Sequence, residues 1–279
     1  MNRILTVQDI SCVGKCSLTV ALPIISALGV ECAILPTAVL STHTMFSGYT
    51  FRDLTDDLTP ILEHWQKESI GFDAVYTGYL GSQRQLEIVR GIFETYCGAT
   101  RIVDPVMADN GRLYPGFTEE FAREMAALCG SADIILPNLT EASFMLGVPY
   151  PGSSYDEAYI RDMLKKLCAL GPGFAVLTGV SFEDGKLGVM AYDREADRYF
   201  YYCRERLPAS FHGTGDIFAS AFTGALTQTK DREEALRIAT DYTVECIALT
   251  LGNPDHVNYG VEFERALPYL TERIRGSLA

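Results

Sequence analysis

From residue 3 to about residue 180 the sequence alternates between short apolar runs and longer stretches with helical spacing, and few folds accept that rhythm. The runs at 3–10, 30–39, 74–80, 101–107, 133–136 and 174–178 read as buried strands. Between them, 14–28, 58–68, 83–96, 119–128, 141–146 and 157–170 repeat their apolar residues every three or four positions, as amphipathic helices do. Strands joined through helices pair in parallel and need cover on both faces. The expectation is therefore α/β: a mostly parallel central sheet covered by helices on both faces. After residue 180 the rhythm changes. Segments 186–193 and 198–206, joined by Arg194-Glu195-Ala196-Asp197, predict an antiparallel edge hairpin. Helices resume from Asp216, with 233–251 and 262–274 completing the chain, while 41–52 reads as a loop. With no linker, low-complexity tract or repeat, residues 1–279 are expected to form one domain.

The formal net charge of -13 argues against a nucleic-acid backbone or an anionic membrane as partner. A phosphate-bearing ligand would need local devices, such as main-chain amides and a divalent metal. The eight cysteines (12, 16, 32, 97, 129, 168, 203, 246) include no C-x-x-C pair, and most are expected to be small buried hydrophobes in a reducing compartment. The N-terminal stretch is too short and polar for a signal peptide, and no run of 18 apolar residues occurs. A cytoplasmic protein is expected.

Ligands of such sheets bind at the carboxyl ends of the strands. Asp9 and Ser11, Thr42-His43-Thr44, Thr77-Gly78-Tyr79, Asp104 and Asp109, Asn138 and Glu141, and Thr178-Gly179 all fall at predicted strand ends, so one groove along that edge is expected. Gly213-Thr214-Gly215-Asp216 then leads into an apolar helical run. Two glycines can turn the chain through positive φ, and a helix start presents unpaired amides to an anion. A positively biased pocket would keep Asp216 ionised and able to take a proton from a hydroxyl. By itself the motif also reads as a glycine turn capped by Thr214 or Asp216.

Other motifs carry similar alternatives. Asn138 and Glu141 share a helical face and suit a Mg²⁺ hydration shell, yet they equally form a capping box. Asp104 and Asp109 with Glu141 make a loose acidic cluster suited to Mg²⁺, or else Asp104-Pro105 is simply a turn. His43 and its flanking threonines could hydrogen-bond a small polar aromatic ligand, or bond their own loop. Tyr79 could offer a ring to that ligand or to the core. Lys15 could touch phosphate but reads more simply as solvated.

Taken together, Gly213-Thr214-Gly215-Asp216, Asn138-x-x-Glu141 and Asp104-Pro105-Val106-Met107, in this α/β order, resemble the ribokinase-like superfamily of small-molecule kinases. Ala38-Val39-Leu40-Ser41-Thr42-His43-Thr44 and Thr77-Gly78-Tyr79-Leu80-Gly81 resemble its vitamin B6 (pyridoxal) kinase branch. The resemblance implies ATP-dependent phosphorylation of the 5′-hydroxymethyl group of a B6 vitamer. It makes Asp216 the catalytic base and the backbone of Gly213, Thr214 and Gly215 an anion hole. Asp104, Asn138, Glu141, Thr178, Gly213 and Thr214 would serve ATP, and Asp109 and Glu141 the metal. Asp9, Ser11, Ala38, Leu40, His43, Thr44 and Tyr79 would line the vitamer pocket. A homodimer, Mg²⁺ and a monovalent cation such as K⁺ belong to the same expectation. The first loop, Gln8-Asp9-Ile10-Ser11-Cys12-Val13-Gly14, departs from the family's usual Gln-Ser-His and is about two residues shorter, and Leu40 stands where some members carry Phe. Hydroxymethylpyrimidine kinases are near relatives with a first loop richer in glycine. The alternatives are that substrate, or a vitamer- or nucleotide-binding sensor without turnover.

Overall fold

The computed structural model describes residues 1–209 and 211–278. Two compact units emerge, one made of Met1–Gly78 with Arg206–Ala279 and the other of Tyr79–Glu205. Along the first stretch run β1 (Arg3–Ser11), α1 (Leu18–Ala27), β2 (Glu31–Leu40), β3 (Phe51–Asp53), α2 (Thr55–Lys67) and β4 (Ala74–Thr77). The second unit holds α3 (Gln83–Thr95), β5 (Thr100–Val103), β6 (Ala108–Asp109), β7 (Arg112–Leu113), α4 (Glu119–Cys129), β8 (Ile134–Ile135), α5 (Leu139–Leu146), α6 (Glu157–Ala169), β9 (Phe174–Val180), β10 (Lys186–Asp193) and β11 (Arg198–Glu205). The chain then returns to the first unit with α7 (Thr214–Thr229), α8 (Arg232–Leu251) and α9 (Phe263–Leu278).

In the first unit the strand order is β4-β1-β2-β3, with β1 parallel to both neighbours and β3 antiparallel to β2. Ile4, Leu5 and Val7 of β1 are fully buried, as a central parallel strand requires. Helices α1, α7, α8 and α9 pack on one another, and Ile24, Ile25, Phe222 and Tyr242 lose all solvent contact. Each such side chain contributes roughly 1.5–3 kcal/mol of burial. The second unit orders its strands β11-β10-β9-β8-β5, parallel through β5, β8 and β9 and antiparallel at β10 and β11, with α6 on β9 and β10. The mostly parallel α/β class and the edge hairpin are as the alternation predicts.

Four local differences have identifiable causes. Helix α1 begins at Leu18, not at residue 14, because Gly14 (φ 152°), Lys15 (φ 52°) and Ser17 (φ 52°) hold the preceding loop at positive φ. β5 stops at Val103 because Pro105, just beyond, has no N–H for a ladder. β3 forms at the end of the expected loop as an exposed three-residue edge. The small β6–β7 hairpin turns at Asn110 (φ 50°) and Gly111 (φ 76°), an Asn-Gly turn signal that the broader helix-and-strand rhythm does not bring out. Of the eight cysteines, all free, four are buried and Cys12 and Cys97 are exposed. Among the described residues no helix is long and apolar enough to cross a membrane.

Candidate active site

The first unit gathers a carboxylate centre from both halves of its sequence. The pairing of β1 with β2 slips between Gln8 and Ile10, so Asp9 occupies an irregularity at the strand's carboxyl end. Asp9 is buried, and the Ser11 hydroxyl donates to its Oδ2 at 3.1 Å. Burial raises its carboxyl above the ordinary range, while the Ser17 and Ser11 hydroxyls pull the other way.

Asp216 lies in the first turn of α7. Gly213 caps that helix with φ 81°, and no side chain caps it, so neither Thr214 nor Asp216 is spent as a cap. Thr214 Oγ1 instead donates to the Phe211 carbonyl at 3.2 Å. A Cβ on Gly213 would run into the Lys15 carbonyl, so both backbone angle and space demand glycine there. Gly215 differs from expectation: it is exposed and helical without positive φ, and open space surrounds its missing side chain.

Asp216 also corrects the expectation of a firmly ionised base. Its side chain is half-buried, yet desolvation pushes the carboxyl up to about 7, helped by the charge of Asp9 and opposed by one hydrogen bond from the Ser17 amide. Desolvation is the largest cause and exceeds the hydrogen bonding that favours the ionised form. The Cys16 thiol, sandwiched in sequence between these loop residues, is pushed up to about 12 by burial and by Asp216 and Asp9.

The proposed vitamer residues behave unequally. Ala38 and Leu40 are buried on β2, and Leu40 lies in register with Ser11 of β1. His43 is buried, but its ring nitrogens are engaged: Nδ1 accepts from the Met45 amide at 3.1 Å, so Nε2 donates to the Tyr259 carbonyl at 3.0 Å. The loop bonds itself, and the hydrogen bond expected from His43 to a ligand has no free nitrogen. Its ring stacks at a tilt on His212, 4.6 Å between centroids, and Gly14 packs directly against it. Thr44 is exposed. Lys15 remains partly exposed, and its ammonium pairs with Glu264 at 2.7 Å and sits over the Phe263 ring.

The second unit brings Asn138, Glu141 and Thr178 together. Asn138 Oδ1 accepts from the Thr140 and Glu141 amides at 2.8 and 2.9 Å, and Glu141 Oε2 accepts from the Asn138 amide at 2.9 Å, a complete capping box at the start of α5. Glu141 Oε1 takes the Met107 amide at 3.2 Å, and Asn138 Nδ2 donates to the Ala108 carbonyl at 2.9 Å. These bonds pin the β6–β7 hairpin to α5, and the Thr140 hydroxyl accepts from the Gly111 amide at 3.0 Å. Thr178 bridges to Asn138 and donates its amide to the Pro137 carbonyl at 3.0 Å. Glu141 is buried and its carboxyl raised, mainly by desolvation, against amide bonds from Asn138, Met107 and Ala108 and with a further push from Asp109.

Asp104 is buried, whereas Asp109 is exposed and holds the amide and side chain of Asn110 at 2.8 and 2.9 Å. Among the described residues no three His, Cys, Asp or Glu side chains gather to hold a metal. The expected three-carboxylate cluster is thus not assembled, because Glu141 is turned into its cap. The donor set still suits Mg²⁺, which keeps several waters and takes one or two carboxylates plus phosphate oxygens. Tyr79 is half-buried with its ring 5.5 Å from Phe117, which stacks on Phe121 at 4.3 Å.

Known proteins share this fold. A Bacteroides thetaiotaomicron protein, provisionally assigned as a phosphomethylpyrimidine kinase and crystallised with pyridoxal, superposes with a TM-score of 0.91 at 40% identity, covering 96% of this chain and 95% of that one. The pyridoxal kinase of Lactobacillus plantarum superposes with a TM-score of 0.90 at 31% identity, covering 98% and 97% of the two chains. A Rubrobacter xylanophilus pyridoxal kinase is 28% identical over 267 residues, 89% of this chain and 88% of that protein. The family model for phosphomethylpyrimidine kinases matches residues 22–261, and the chain belongs to that family.

Proposed function

We propose that the chain transfers the terminal phosphoryl group of ATP to the 5′-hydroxymethyl group of a vitamin B6 vitamer. Pyridoxal kinases at 31% and 28% identity over nearly the whole length support this, as does pyridoxal in the 40% identical relative. The observation that carries the mechanism is Asp216, a carboxyl at about 7 beside a helix start whose capping residue must be glycine. A base poised near the working pH takes the alcohol's proton as the oxygen attacks. The amides of Thr214 and Gly215, in the first turn of α7 where no helical partner exists, receive the migrating group's charge. Asp9 and Ser11 hold the ring side of the acceptor, within a wall that includes Ala38 and Leu40; His43 shapes that wall through its ring.

Asn138, Glu141, Thr178 and Asp104 serve the nucleotide phosphates. Mg²⁺, held by Glu141 and Asp109 through water, would neutralise phosphate charge as it develops. Every other part of the task falls to positioning by main-chain groups. A homodimer, a cytoplasmic location and a K⁺ requirement complete the proposal by family likeness.

A second reading, phosphorylation of a hydroxymethylpyrimidine, draws on the family model itself. Incubation with ATP, Mg²⁺ and either pyridoxal, pyridoxine, pyridoxamine or hydroxymethylpyrimidine, followed by mass detection, separates the two. The expected product is a B6 5′-phosphate. Transfer to the pyrimidine alone would replace this reading with the second, and vitamer binding without ADP formation would make the protein a sensor.

A further inference from the structure

Four segments of the first unit that lie far apart in sequence meet on one imidazole. His43 belongs to the loop between β2 and β3 and is buried, while Thr44 and Met45 beside it are exposed. Its amide donates to the Val13 carbonyl at 3.0 Å, and a Cβ on Gly14 would strike its ring, so the first loop fits closely around it. Its Nε2 donates to the Tyr259 carbonyl at 3.0 Å, in the connection between α8 and α9. His212 stacks on the same ring at 4.6 Å, directly before the glycine that caps α7. Phe46 and Tyr259 complete the group with their rings 5.5 Å apart.

Of the two bonds to the His43 ring, one is local. The Met45 amide reaches Nδ1 from two residues on and folds the loop on itself. An asparagine or aspartate at this place could accept the same bond. The bond to Tyr259 spans 216 residues and needs a donor at the far side of the ring. A neutral imidazole that accepts at Nδ1 carries its proton on Nε2, so the local bond fixes the tautomer that the distant one requires.

We propose that His43 is a positioning residue that holds the β2–β3 loop and the entry to α7 in one register, acting through Tyr259 and His212 rather than by a bond to the substrate. This rests on the reading of the first unit as the acceptor side of a vitamer kinase. Thr44 follows His43 and Gly213 follows His212, so any shift of the ring moves an acceptor contact and the anion cradle against each other. Misplacement by about 1 Å can cost a transfer reaction on the order of a hundredfold. Asn138, Glu141, Thr178 and Asp104, proposed for the nucleotide, belong to the second unit, so ATP affinity is expected not to follow.

The test is steady-state kinetics of the full chain, wild type against His43→Asn, His43→Gln, His212→Ala and the double variant His43→Asn with His212→Ala. Vitamer and ATP are varied in turn, and each protein is also melted. An asparagine side chain can keep the Met45 bond but is too short for Tyr259, whereas glutamine can still donate to that carbonyl. The vitamer kcat/KM is expected to fall roughly tenfold in His43→Asn, the worth of one hydrogen bond, and only roughly threefold in His43→Gln. The KM for ATP stays near its wild-type value in both. His212→Ala should lose roughly threefold, and the double variant no more than His43→Asn alone, because both changes undo the same contact. Should His43→Asn melt early, His212→Ala carries the test by the same split between the two substrates. Equal losses in His43→Asn and His43→Gln, losses that multiply in the double variant, or an ATP KM that rises with that of the vitamer would overturn the role of His43 alone. A wild type that phosphorylates no vitamer would instead remove the reading beneath the proposal, and the proposal with it.

Discussion

Asp216 in the first unit and Glu141 in the second are both carboxylates that burial pushes upward, and the chain equips them differently. Glu141 accepts amides from Asn138, Met107 and Ala108 and closes a capping box. Asp216 receives one amide, from Ser17, and faces a second carboxylate, Asp9. A carboxylate saturated with main-chain donors is held in place as scaffold. One left with a single donor and a like-charged neighbour keeps its lone pairs and a proton affinity near neutrality. The number of committed amides, rather than burial, separates the proposed base from the carboxylate fixed in a cap.

The widest effect expected from this contrast is at Asp216. Asp216→Asn should lower kcat by roughly 10²–10⁴ with ATP binding retained, the usual worth of a general base. The same variant should be more stable than wild type at pH 8. Its folded-state carboxyl titrates near 7, above the unfolded value of 3.8, so the native protein holds a proton that the unfolded chain has released across that window. Stability from this group is therefore full at low pH and is lost as pH rises through 7, and the neutral amide escapes that loss. Equal melting temperatures for the two proteins at pH 8, with a gap opening at pH 5, would reverse the assignment.

Glu141→Gln should act chiefly on stability. An NH₂ group would face a backbone N–H where an oxygen now accepts, at a cost of about 1–3 kcal/mol. Melting should fall by several degrees, accompanied by a higher Mg²⁺ requirement; an unchanged melt and metal titration would break the contrast. The glycines sharpen it further. Gly213→Ala should destabilise by about 1–3 kcal/mol through its positive φ. Gly215→Ala has room and should melt like wild type, yet lose roughly tenfold in kcat, one step of 1.4 kcal/mol, by crowding the migrating phosphoryl group. Full activity in Gly215→Ala would remove the amide cradle.

How much of this is legible in the residues depends on what carries the information. The α/β alternation is written in spacing, and the family resemblance in short motifs at strand ends, so both emerge from the sequence. Gly213 is readable because one residue type fits its φ and its contact with Lys15. The direction of the Asp216 shift is not readable, because it depends on the balance of desolvation against hydrogen bonding in the fold, which spacing does not express. His43 shows why a polar loop residue misleads: only coordinates reveal that Met45 and Tyr259 already occupy its nitrogens. Ser17 is the furthest from view, since it holds backbone angles that its own side chain disfavours. The β6–β7 hairpin, by contrast, is announced by Asn110-Gly111 but lies too close to Asp104-Pro105 to stand out from a turn.

The division of the chain has a consequence for synthesis. Tyr79–Glu205 is one uninterrupted stretch, able to close before the segment from Arg206 onward has been added. The other unit joins Met1–Gly78 to Arg206 onward, so Asp9 is made before the second unit and meets Asp216 only after it. A nascent chain cut short before residue 206 would carry Asp9 without Asp216. The two halves of this carboxylate pair thus meet only once the whole of the second unit has been synthesised.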